Sequence, residues 1–63
     1  MRFLTEGAVM EEYDTHQIGV FEGTRMIDGA GLTWLLRCPG EDSHFNYGYT
    51  SIAHLLELWF VIE

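Results

Sequence analysis

The chain has 63 residues, 48% of them hydrophobic and 14% aromatic, and sets ten acidic residues against three arginines and no lysine, for a formal charge of -7. That apolar content excludes a disordered chain, and the shortage of cations excludes free nucleic acid as a ligand, because gripping a phosphate backbone depends on Lys and Arg displacing its counterions. A chain this short buries only about 60% of the surface its unfolded form exposes, so it calls for support from a disulfide, a metal or another chain, and a lone cysteine removes the first of these.

Taken in chain order, AVMEEY and HQIGVF are two runs of similar length separated by Asp14-Thr15, a pattern that predicts an antiparallel hairpin closed by one tight turn. The stretch GTRMIDGAG, punctuated by Gly23, Gly29 and Gly31, reads as turn, short extended piece, turn. After it, Leu32, Trp34 and Leu36 alternate with Thr33, Leu35 and Arg37, as in a strand, and Cys38-Pro39-Gly40 ends that strand. GEDSHFNYGY is then a loop, with a short strand expected at His44 to Tyr47.

The chain closes on SIAHLLELWFVIE. Ser51 is a good N-cap, and Ile52, Leu55, Leu56 and Trp59 fall at i, i+3, i+4 and i+7, the spacing of one helix face. The expected fold is α+β: one compact domain over residues 1–63, with a small antiparallel sheet of three to four strands and one C-terminal helix packed on one face. Leu58, Phe60, Val61 and Ile62 cannot all lie on the covering stripe. Surplus apolar surface of this kind marks Leu58, Phe60 and Ile62 as candidates for an oligomer interface, and Phe60 to Ile62 as a candidate final strand.

No motif names a reaction. Cys38, beside Arg37, lacks any nucleophile signature around it and reads as a small thiol at a strand end. Cys38, His44 and His54 have no standard metal-ligand spacing, and GAG at 29–31 is no phosphate cradle. The expectation is a chain with no catalytic residues, no metal and no cofactor. GLTWLLRCPGE is similar to the central strand of SH2 domains, whose arginine grips phosphotyrosine, and YTSIAHLLELW is similar to their second helix. An SH2 domain is much longer, has an earlier helix with no counterpart here and a serine after the arginine region that this sequence lacks, so no role passes to Arg37.

What remains is the pattern of acids and aromatics. Glu11, Glu12, Asp14 and Glu22 are expected to gather on the hairpin, and Glu41 with Asp42 to tip a second loop. Spaced carboxylates on a rigid sheet can imitate the phosphates of a nucleic-acid strand. Phe45, Tyr47 and Tyr49 alternate and share one face if extended, which makes Phe45 and Tyr47 candidate anchors.

In size and composition, though in no motif, the chain is similar to small inhibitors of phages and mobile elements, including anti-CRISPR and anti-restriction proteins. The expected function is a non-enzymatic inhibitor of a basic, nucleic-acid-facing surface on a larger protein or nucleoprotein complex. The alternative is a homodimeric adaptor or assembly module that uses its apolar C-terminal segment. With one cysteine, no signal-like apolar run in MRFLTEG and no stretch of about 18 apolar residues, a cytoplasmic location without membrane association is expected.

Overall fold

A computed structural model describes residues 4–40 and 46–63. In chain order these form β1 (Val9–Glu12), β2 (Ile18–Ile27), β3 (Gly31–Arg37), β4 (Tyr47–Tyr49), α1 (Ile52–Leu58) and β5 (Trp59–Val61). All neighbouring strands are antiparallel, in the order β4-β3-β2-β1-β5. The fold is α+β, with five strands where three to four were expected.

The first hairpin forms where the sequence places it, but its turn is longer. Residues 13–17 connect the strands, closed by Glu12 N–H donating to Gln17 O at 2.9 Å and His16 N–H donating to Glu12 O at 2.9 Å. A two-residue hairpin turn needs a left-handed residue at its centre, and Asp14-Thr15 supplies none. His16 takes that conformation instead, at φ 62.

The additional strand length lies in β2, which runs ten residues straight through GTRMI. Phe21 faces Leu36 and Thr24 faces Trp34, so Glu22 and Gly23 together oppose the single residue Leu35. This is a β-bulge, with Gly23 at φ 90; it bends the strand without ending it. Beyond it, Ala30 N–H donates to Ile27 O at 3.0 Å with Gly29 at φ 86, the geometry of a type II turn. The expected strand at His44 to Tyr47 begins outside the described residues; among those described, the strand is Tyr47–Tyr49.

Cross-strand partners share a face, so the register sorts the side chains. Met10, Gly19, Phe21, Trp34, Leu36, Tyr47, Tyr49, Trp59 and Val61 fall on one face. That face holds the core: Met10, Leu36, Leu55 and Trp59 are the largest fully buried side chains, joined by Ala8 and Phe21. Val9, Glu11, Ile18, Val20, Leu35, Arg37 and Phe60 fall on the opposite face, where Leu35 is also buried.

Helix α1 joins β4 to β5, the two edges of the sheet. The sheet curls enough for those edges to meet through side chains: Trp59 Nε1 donates to Tyr49 Oη at 2.8 Å, and the Tyr47 and Trp59 rings lie edge to face at 5.3 Å. The predicted N-cap forms, with His54 N–H donating to Ser51 Oγ at 3.4 Å. The predicted four-residue stripe does not. Leu55 alone is buried within α1, while Ile52 and Leu56 stay 42% and 44% exposed. Trp59 is the C-cap, already extended, and enters the core as the first residue of β5. A helix of two turns that bridges the sheet edges presses one position into the core, and the fourth member of the stripe arrives from the next strand.

Candidate functional site

The carboxylates divide into two groups. Glu11 and Glu12 are successive residues of β1 and therefore point to opposite faces, and Asp14 stands in the adjoining turn. The β1–β2 end thus presents acids on both sides of a hairpin tip. Two of them are held by neighbours: Glu11 Oε2 lies 2.8 Å from His16 Nδ1, and the Glu12 carboxylate accepts a hydrogen bond from the Thr15 hydroxyl. Asp14 is exposed.

Glu22 is not part of that group. It lies in the bulge, four residues along β2 from Ile18, the partner of Glu11, or about 13 Å away at the usual strand rise. Its Oε1 accepts from Arg37 Nε at 3.2 Å, a half-buried ion pair on the face opposite the core. Arg37, in the stretch similar to an SH2 central strand, is thereby committed to a carboxylate of its own chain. Glu41, Asp42 and Phe45 lie outside the described residues.

Tyr47, proposed as an anchor, is half-buried and packs against the core beside Trp59. Burial first, and then the neighbouring Cys38, Glu12 and Tyr49, raise its phenol above the ordinary value of 10.0. Leu58 also packs against the core. Phe60 and Ile62 are half-buried, and Phe60 is partly covered by the Tyr13 ring at 4.6 Å. Residues 59–61 act first as a strand, paired to β1 through Met10–Val61 and Glu12–Trp59.

The most exposed apolar side chains lie elsewhere, and the sequence reading passed over two of them. Met26 is 71% exposed and Leu32, its cross-strand partner, 46%. The available signal was local: Met26 and Leu32 flank the turn marked by Asp28 and Gly29, where apolar residues have no core to enter.

Cys38 is buried at the end of β3, with its N–H donating to Asn46 Oδ1 at 2.7 Å. Among the described residues, no three His, Cys, Asp or Glu side chains converge as metal ligands would. No described helix is long and apolar enough to cross a membrane. Comparison with protein-family models, with curated proteins and with solved structures gives no match in any of the three, so the chain's own geometry is what a functional reading rests on.

Proposed function

We propose that this chain works by binding: it is a small acidic, non-enzymatic inhibitor that occupies a basic, nucleic-acid-facing surface of a larger protein or nucleoprotein complex, in the manner of phage and mobile-element inhibitors. The observation that carries the reading is the β1–β2 tip, where Glu11, Glu12 and Asp14 lie within four successive residues of one hairpin. A formal charge of -7 on so small a body raises encounter rates with a positive surface, and carboxylates already held by neighbours, as Glu11 is by His16 and Glu12 by Thr15, need less ordering when they dock.

The test is capture from a host lysate on the immobilised wild-type chain and on a Glu11→Lys, Glu12→Lys, Asp14→Lys variant, each eluted along a salt gradient. A partner retained by the wild type at low salt, released as salt rises and lost from the variant supports the reading. A partner held unchanged at molar salt, or held equally by both baits, refutes it. The alternative is a homodimeric adaptor or assembly module that uses the C-terminal segment, where Leu58, Phe60 and Ile62 keep part of their surface exposed.

A further inference from the structure

The face of the sheet opposite the core is apolar where β5, β1 and β2 run side by side. Glu11 pairs with Phe60 on one side and Ile18 on the other, and Val9, two residues back along β1, pairs with Val20. Phe60, Ile18, Val9 and Val20 are half-buried, and none of them belongs to the core cluster or to the hydrophobic side chains packed against it. Helix α1 packs on the other face, where its one buried residue, Leu55, joins the core. On β3 the face is closed, with Thr33 and Leu35 buried, so its open part is confined to the three strands named. Tyr13 continues it past the end of β1: it is 54% exposed, and its ring lies 4.6 Å from that of Phe60.

Charge on this open part is unbalanced at one position. Arg37, the partner of Val20, is answered by Glu22 at 3.2 Å, which leaves Glu11. The Glu11 side chain is only 25% exposed and has an apolar cross-strand partner on either side. His16 Nδ1 lies 2.8 Å from Oε2 and orients the carboxylate without saturating it, since a carboxylate accepts about four hydrogen bonds. A negative charge partly withdrawn from water attracts a cation more strongly than a fully hydrated one, and Ile18 with Phe60 offers an apolar bed for the methylene stem of a cationic side chain. The exposed ring of Tyr13 adds its own attraction for a guanidinium.

We propose that a basic protein segment docks on this face, with one of its arginines seated between Ile18, Phe60 and Tyr13 against the Glu11 carboxylate and its apolar residues covering Val9 and Val20. Charge complementarity selects this occupant. A neutral or acidic apolar segment would bury Glu11 with no cation to answer it, the costliest way to cover a carboxylate. A second copy would bring a further formal charge of -7, and its own Arg37 is already paired with Glu22. The inference rests on the reading of this chain as the binder of a basic surface, and narrows it. Of the acids at the β1–β2 tip, Glu11 is the one set among apolar side chains on the open face, whereas Glu12 pairs with Trp59 on the core side.

The experiment is an NMR titration of the isotope-labelled chain, read at its backbone amides, with synthetic peptides in which arginine alternates with leucine, arginine with serine, or glutamate with leucine. Saturable shifts at Glu11, Tyr13, Ile18 and Phe60 are expected with the arginine–leucine peptide, binding about tenfold weaker with the arginine–serine peptide, and none with the glutamate peptide. Glu11→Gln should weaken the first peptide about tenfold, whereas Asp28→Asn, which removes the same charge from the exposed β2–β3 turn, should change it by less than about twofold. Tyr13→Ala, at an exposed position, should weaken it about threefold. Shifts that centre on Glu12 and Asp14 and spare Ile18 and Phe60, or equal weakening by Glu11→Gln and Asp28→Asn, overturn this face while leaving the basic-surface reading in place. Binding of none of the peptides also overturns it, and the basic-surface reading is then decided by its salt-eluted capture alone. Shifts on this face that grow with the concentration of the chain alone make the occupant a second copy and overturn the proposal as well.

Discussion

At the scale of single residues, the core is organised around Trp59 and the absence of a side chain at Gly19. A Cβ at Gly19 would stand 3.1 Å from Trp59 Cζ3 and 3.4 Å from Cη2. The indole cannot retreat easily, since it is fully buried and its Nε1 is held by Tyr49 Oη. Gly19→Val is therefore expected to destabilise the fold by about 1–3 kcal/mol, the usual cost of overpacking, read as a lowered urea midpoint with an unchanged slope. A midpoint equal to the wild type would show that the indole has room to move.

Tyr47 offers a second residue-scale prediction, with its sign set by the raised phenol. The folded state favours neutral Tyr47, so the stabilisation is complete below the unfolded value near 10 and is lost as pH rises through the higher folded value. Stability of the wild type relative to Tyr47→Phe should fall as pH increases above about 10. A difference between the two proteins that stays constant from pH 8 to pH 11 would contradict this.

At the scale of elements, the sequence carried most of the strands and misplaced what happens between them. Alternation in LTWLLR was enough to identify β3, and Pro39 enough to end it. The turn expected at Gly23 failed because a glycine in a strand can signal a bulge as readily as a break, and only the register against Leu35 distinguishes the two. The helical spacing of Ile52, Leu55, Leu56 and Trp59 was real, yet helical spacing continues on paper past the point where the backbone leaves the helix. Trp59 N–H still donates to Leu55 O while its own φ of -129 and ψ of 150 are those of a strand. Of the candidate site, Glu11, Glu12 and Asp14 were legible as neighbours because they are close in sequence. The separation of Glu22 depends on strand register and on Arg37, neither of which a pattern of acids reveals.

At the scale of the whole molecule, the two ends of one long strand differ: Glu11, Glu12 and Asp14 gather around the β1–β2 turn, and Met26 and Leu32 stand exposed beside the β2–β3 turn. The formal charge of -7 also opposes compaction, because it is unscreened at low ionic strength and confined to a body of 30 × 26 × 21 Å. Raising sodium chloride from about 0.01 M to 0.15 M, which shortens the screening length from about 30 to 8 Å, should raise the thermal midpoint at pH 7. A midpoint that falls or stays level would mean that the carboxylates are better compensated within the fold than the formal charge implies.

The pairing of β1 with β5 has a kinetic consequence. Met10 meets Val61, so a central part of the core closes a loop over most of the chain, whereas every other strand pair joins consecutive strands. Local hairpins form within microseconds, but the entropy of closing a long loop must be overcome before Trp59 can enter its site beside Gly19. The β1–β2–β3–β4 meander can therefore assemble early, and burial of Trp59 marks the late step at which β5 docks. Its indole is a natural reporter of that step, placed beside a pairing of strands that lie far apart in sequence.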